Sequence, residues 1–185
     1  MKVIETSLPG CKVIEPTVFG DSRGFFFETW NATRFAELGL NGSFVQSNIS
    51  SSSRGVLRGL HYQWPRAQGK LVTVLQGEVY DVAVDIRRGS PTFGKWEAVM
   101  LSEQNRRQFW IPPGFAHGFA VVSETALFNY LCTDVYVKED DAAVRWNDAD
   151  IAVDWPISGP ILSAKDEAAP FLKDIAEERL PVFAP

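Results

Sequence analysis

A chain of 185 residues, 45% hydrophobic and 22% charged, with a formal net charge of -5, can bury a sizeable core as one folded unit. Its composition is neither that of a disordered chain nor that of a membrane-embedded one. The acidic balance excludes general nucleic-acid binding, yet leaves room for a local basic pocket that takes a phosphorylated small molecule. No apolar run approaches a transmembrane span, and the start, Met1-Lys2-Val3-Ile4-Glu5, lacks the apolar region of a signal peptide. Cys11 and Cys132 lie far apart in no metal or redox spacing, which predicts two buried thiols in a cytoplasmic protein.

In chain order, Val13 to Phe19 predicts a strand pair broken at Pro16, with a turn over Gly20-Asp21-Ser22-Arg23-Gly24. Phe25 to Trp30 predicts an aromatic strand with the carboxylate of Glu28 inside it. Asn31 to Gly39 predicts a short helix. Asn31 caps it, Ala32, Phe35 and Ala36 share its apolar face, and Gly39 ends it. Phe44 to Ile49 predicts a strand, and the serines at 50 to 53 a polar loop.

The middle of the chain is dense in strands. Leu71–Leu75, Val79–Ile86, Lys95–Leu101, Gln108–Ile111, the run to Val122 and Ala126–Cys132 are separated by turns at Gln76-Gly77-Glu78 and Gly89 to Gly94. Between Val79 and Ile86 the alternation puts Tyr80, Val82, Val84 and Ile86 on one face. Val79, Asp81, Ala83 and Asp85 fall on the other, as though that side lined a polar cavity. Many short strands at close spacing predict an all-β barrel or sandwich. Pro170 to Leu180 predicts a terminal helix with a stripe of Phe171, Leu172, Ile175 and Ala176.

The chain has two histidines. His61 ends the run Arg54-Gly55-Val56-Leu57-Arg58-Gly59-Leu60-His61, with Lys70 following in Gln68-Gly69-Lys70. An imidazole amid fixed positive charge suits proton abstraction from an anionic substrate. His117 follows Pro112-Pro113-Gly114-Phe115-Ala116. A glycine-bounded histidine strand, then Pro-Pro-Gly-x-x-His, resembles the two-motif layout of cupin barrels. Metal-binding cupins carry a second histidine where this chain has Gln63, so no metal site is expected.

The resemblance becomes specific over Gln46-Ser47-Asn48, Gly55 to His61, Gln68-Gly69-Lys70, Ser90-Pro91-Thr92-Phe93-Gly94, Trp110 to Phe119 and Leu162-Ser163-Ala164-Lys165-Asp166. In order and spacing these resemble the dTDP-4-dehydrorhamnose 3,5-epimerase family. That resemblance implies a single cupin-type jelly-roll β barrel over residues 1–185 with short peripheral helices, a homodimer to which the N-terminal segment contributes, and a C-terminal helix packed on the barrel. It implies epimerisation of dTDP-4-dehydro-6-deoxy-D-glucose at C3 and C5, without cofactor, metal, nucleic acid or membrane. It implies His61 as catalytic base, Tyr130 as acid, Asp166 as the carboxylate that orients the base, and Lys70 as the cation at the keto oxygen. Phe19, Arg23, Phe26, Glu28, Gln46, Asn48, Arg58, His117 and Lys165 match substrate contacts, and Asp141 stands where the family has Glu.

Each residue also has a plain structural reading. Asp166 can close a capping box with Ser163, Tyr130 can be a core tyrosine, Lys70 a solvated strand-end lysine, and Arg23 and Arg58 surface charges. His117 can be a structural histidine bonded to Asp81. Two other functions compete: a single-centre sugar-nucleotide epimerase and a non-catalytic cupin that binds a ligand or metal.

Overall fold

Period-two alternation bounded by turns builds two facing antiparallel sheets in the computed structural model, which describes residues 1–40 and 43–184. In chain order the strands are β1 (Lys2–Glu5), β2 (Lys12–Glu15), β3 (Val18–Asp21), β4 (Gly24–Phe27), β5 (Gln46–Ser53), β6 (Leu57–Gln63), β7 (Lys70–Gln76), β8 (Glu78–Asp85), β9 (Trp96–Ser102), β10 (Gln108–Ile111), β11 (Phe115–Val121), β12 (Thr125–Cys132) and β13 (Asp141–Ala143). One sheet has the order β1-β2-β10-β7-β12-β5, the other β13-β6-β11-β8-β9, and β3 and β4 form a separate hairpin. This is a jelly-roll barrel of the cupin type, as expected.

Three apolar layers hold it. Between the sheets lie Val72, Val74, Val79, Phe109, Phe119 and Phe128. The outer face of the β6-β11-β8 sheet, with Leu60, Val82, Val84 and Ile86, is covered by Val144, Ile151, Leu172 and Leu180 from the C-terminal third. Ile14, Leu71 and Trp110 on the outer face of the other sheet are covered by Phe35 and Leu40. Both faces of β8 are therefore buried. Val79 and Ala83 pack in the inner core, where a polar cavity wall was expected. Asp85 is satisfied by Arg87, Ser90 and Thr92, and only Asp81 serves the cavity, through His117.

Several local expectations are corrected. The serines at 50 to 53 continue β5, paired residue by residue with β12 from Thr125↔Ser53 to Cys132↔Gln46. Cross-strand pairing outweighs the weak strand preference of serine at a sheet edge, where polar side chains can face water. The Phe25 strand ends at Phe27, so Glu28 lies beyond it, 3.1 Å from Arg34. Helix α1 (Ala32–Glu37) forms with Asn31 accepting from the Arg34 amide, but of its supposed apolar face only Phe35 is buried; Ala32 and Ala36 are exposed. The terminal helix is absent. Leu172–Asp174 and Glu177–Arg179 are two 3₁₀ turns. Asp148 takes the Leu172 amide at 2.7 Å and Arg88 pairs with Glu177 at 2.9 Å, so tertiary contacts override a marginal helix.

Candidate active site

The site begins with a backbone irregularity in β6. His117 pairs with His61 and Phe119 with Arg58, so Gly59 and Leu60 together oppose the single residue Gly118. This β-bulge lets two side chains three residues apart, Arg58 and His61, reach the same side of the strand. Glycine is required on both strands there. A Cβ on Gly59 would lie 2.4 Å from the Gly118 Cα, and one on Gly118 would lie 2.6 Å from the Arg58 carbonyl oxygen. Gly59 also has a φ of +128°, a region closed to ordinary side chains.

Two adjoining hollows open between the sheets, of about 270 and 210 Å³, and His61, Lys70 and Tyr130 line both. The first adds Gln46, Asn48, Asp141 and Lys165, the second Arg58 and His117. His61 comes from the β6 sheet, whereas Lys70 and Tyr130 come from β7 and β12 of the facing sheet.

Behind His61 sits the short helix α2 (Ala164–Glu167), capped by Ser163. Asp166 Oδ1 is hydrogen-bonded to His61 Nε2, while its Oδ2 accepts from the Ser163 hydroxyl at 2.9 Å. The Asp166 amide in turn donates to Ser163 Oγ at 3.1 Å, so this residue is both cap partner and histidine partner. Burial works to raise the Asp166 carboxyl, but the hydrogen bonds from His61 and Ser163 and the charge of Lys165 outweigh it and hold the group below the usual carboxylate range. An ionised Asp166 accepts the Nε2–H, which leaves Nδ1 as the basic ring nitrogen.

Lys70 is buried, and among the described residues it forms no ion pair; Lys165, by contrast, is bonded to Asp141. Burial pushes the Lys70 ammonium below its ordinary value, against the pull of Cys132, Asp81 and Asp141. Burial raises the Tyr130 phenol, helped by Cys132 and Asp141 and opposed by Arg58, so it holds its proton at neutral pH. His117 Nε2 meets both Asp81 carboxylate oxygens at 3.0 Å, which is the partner the strand pattern suggested. Gln46 Nε2 donates to Asn48 Oδ1 at 3.1 Å, and Arg58 Nε donates to Ser52 Oγ at 3.1 Å.

A family profile described as dTDP-4-dehydrorhamnose 3,5-epimerase matches residues 5–174. The chain is 55% identical over 168 residues to the dTDP-4-dehydrorhamnose 3,5-epimerase of Pseudomonas aeruginosa, covering 90% of this chain and 93% of that protein. The crystal structure of dTDP-6-deoxy-D-glucose-3,5-epimerase from Legionella pneumophila, in complex with dTDP-4-keto-L-rhamnose, matches with a TM-score of 0.97 and 53% identity, covering 100% of this chain and 99% of that one. The chain belongs to the dTDP-4-dehydrorhamnose 3,5-epimerase family. A 3'-monoepimerase from Streptomyces bikiniensis, in complex with dTDP-quinovose, matches with a TM-score of 0.88 and 33% identity, covering 96% of this chain and 91% of that one.

An epimerase is an isomerase, and this one concentrates ten of the fourteen expected site residues around the shared cavity: His61, Asp166, Lys70, Tyr130, Gln46, Asn48, Arg58, His117, Asp141 and Lys165. The other four, Phe19, Arg23, Phe26 and Glu28, do not join it within one chain. They line separate hollows on and beside the β3–β4 hairpin, where Phe19 and Phe26 are 63% and 67% exposed. Gln63, Gln68 and Tyr136 also line the cavity without having been assigned a site role from sequence. Gln63 Nε2 donates to the Arg66 and Val135 carbonyls and its Oε1 accepts from the Val137 amide; Gln68 Nε2 donates to the Asp134 carbonyl. Tyr136 donates its hydroxyl to Asp141 at 3.2 Å. Gln63 shares a strand face with His61, a usable signal. Tyr136 lies in an irregular stretch that carries none.

Proposed function

We propose that this epimerase converts dTDP-4-dehydro-6-deoxy-D-glucose to dTDP-4-dehydro-L-rhamnose by inverting C3 and C5. The observation that carries the reading is the opposition of an Asp166-supported His61 on one sheet to Tyr130 and an unpaired Lys70 on the other, around one cavity. The 4-keto group acidifies the protons on both neighbouring carbons. His61 Nδ1 takes one, and the electron pair moves to the C4 oxygen as an enolate. Lys70, desolvated and without a counter-ion among the described residues, gains most when negative charge appears beside it, so it stabilises the enolate more than the ketone. Tyr130 then delivers its proton to the opposite ring face, which inverts the centre. Asp166 fixes the imidazole tautomer and supports the imidazolium. The ketone is the electron sink, so these residues complete the chemistry on their own.

Arg58, His117, Gln46, Asn48, Lys165 and Asp141 surround the reacting centre as substrate contacts, with Arg58 suited to the diphosphate. Arg23, Phe19, Phe26 and Glu28 belong to the site of a second subunit. The hairpin exposes Phe19, Phe25 and Phe26, more apolar surface than a lone chain keeps in water, and its guanidinium suits a phosphate. The reading is therefore of a homodimer whose arms complete each other's sites. Two free, buried cysteines fit a reducing cytoplasm.

The test is proton NMR of the dTDP-keto-sugar with enzyme in deuterium oxide. Solvent deuterium should enter at both C3 and C5 with inversion at both. Exchange and inversion at C3 alone would favour the activity named for the Streptomyces bikiniensis relative, and no exchange at either carbon would overturn the assignment.

A further inference from the structure

We infer that Arg145 is a positioning residue that holds Asp166 against His61; this rests on the catalytic reading of that pair. Helix α2 has four residues, too short to hold its own geometry, and its last carbonyls have no partner within the helix. The Arg145 side chain supplies the last of them, at Glu167, and a carbonyl just beyond the helix, at Ala169. Its Nε donates to the Ala169 carbonyl at 2.8 Å and its Nη2 to the Glu167 carbonyl at 3.1 Å, while its backbone amide donates to the Pro170 carbonyl at 2.8 Å. The guanidinium carbon also lies 4.9 Å from the centroid of the Phe171 ring. One residue thus grips the segment from 167 to 171, immediately after Asp166.

The other end of the grip is the histidine strand. Ala143 is the ladder partner of His61, and Val144 exchanges backbone hydrogen bonds with Leu60 in both directions, at 2.9 and 3.2 Å. Arg145 is the next residue. The path from His61 to its carboxylate partner therefore runs from β6 to β13 by ladder hydrogen bonds, along the backbone to Arg145, by its hydrogen bonds to the segment after α2, and back along the chain to Asp166. Ser163 fixes the front of α2 and Arg145 the back. A planar fork that satisfies two carbonyls at once is a task lysine does not reproduce.

The experiment compares Arg145→Met, Arg145→Lys and, as a control, Asp148→Asn. Asp148 anchors the same C-terminal segment farther along, at the Leu172 amide. The readouts are melting temperature, kcat and KM for the dTDP-keto-sugar, and the deshielded proton of the His61–Asp166 hydrogen bond in the NMR spectrum of free enzyme. Arg145→Met should lower kcat about tenfold with KM within about twofold, as expected for a misplaced reacting group, and should lose or broaden the downfield signal. Arg145→Lys, which reaches one carbonyl, should fall between, and carries the test alone if the Met variant does not fold. Asp148→Asn should lower the melting temperature and leave kcat and the signal in place. Wild-type kcat and signal in the folded Arg145 variants, or equal losses in Asp148→Asn, would overturn the inference. A wild-type enzyme inert toward the keto-sugar would overturn the catalytic reading instead, and the NMR signal would still report on positioning.

Discussion

Gly59 and Gly118 face each other across β6 and β11 so closely that a methyl group on either collides with the opposite backbone. The contact is where the bulge forms, and the bulge places Arg58 and His61 together. Gly118→Ala should therefore cost about 1–3 kcal/mol of stability as an overpacked site, and should lower kcat beyond what the lost stability explains, because β6 must move. Thermal melting and steady-state kinetics on the folded fraction check this. A variant that melts lower and turns over normally would show that the close approach serves packing alone.

The strands from Lys70 to Cys132 were legible because apolar runs bounded by glycine turns match the final strand positions, although the polar face read for β8 was overturned. The roles expected of Tyr130, Asp166 and Lys70 follow from the family resemblance, while the residue pattern alone singles out only His61 and its flanking charges. Other features depend on contacts that lie far away in sequence. Ser50 to Ser53 extend only because β12 offers a ladder. Leu172 to Leu180 form two 3₁₀ turns, held to the barrel by the Asp148 bond to the Leu172 amide and the Arg88–Glu177 pair, contacts distant in sequence. Asp166 makes the cap contact and the histidine contact at once, its amide and Oδ2 meeting Ser163 and its Oδ1 meeting His61.

Lys70 should trade stability for activity. Its ammonium is disfavoured by burial, so its native value lies below that of a free lysine. Between those two values the unfolded chain binds more protons, and stability should rise with pH across that window. Lys70→Met removes the buried charge. It should melt higher than wild type at neutral pH and lose the alkaline gain, while kcat falls by about 10²–10³, the range for removing an oxyanion donor. The wild-type rate should decline at alkaline pH as Lys70 loses its proton, earlier than a solvent-exposed lysine would cause. A Met variant that melts lower contradicts the burial argument, and one that keeps its kcat removes Lys70 from the chemistry.

The base and the acid separate by isotope exchange. His61→Asn should abolish deuterium wash-in at C3 and C5, since no enolate forms. Tyr130→Phe keeps the ring and its packing but loses the proton it donates, so exchange at C3 should persist with inversion reduced or absent. The opposite pattern, exchange in His61→Asn and none in Tyr130→Phe, would reverse the two roles.

Activity should survive exhaustive chelation. His61 is committed to Asp166 and His117 to Asp81. Gln63, where a metal-binding cupin has histidine, spends its amide on three backbone groups. A catalytic metal needs at least three converging protein ligands, and among the described residues no three His, Cys, Asp or Glu side chains are grouped to hold one. Loss of turnover with EDTA, restored by one divalent ion, would contradict the proposed mechanism.

The proposed place of the hairpin in a partner's site has a genetic test. Arg23 is bonded to Asp21 on its own hairpin, with 88% of its side chain exposed, and its chain's cavity lies elsewhere. Arg23→Ala and His61→Asn should each yield poorly active homodimers. Co-expressed, they form mixed dimers in which the chain with intact His61 receives the intact Arg23 arm of the other. One complete site per mixed dimer, with random pairing, predicts recovery of about a quarter of wild-type activity from the two impaired variants. If each arm served its own chain, every site in the mixture would carry one lesion and no activity would return. The mixture therefore distinguishes a shared site from a merely adjacent one, using kcat of the co-purified dimer as the only measurement.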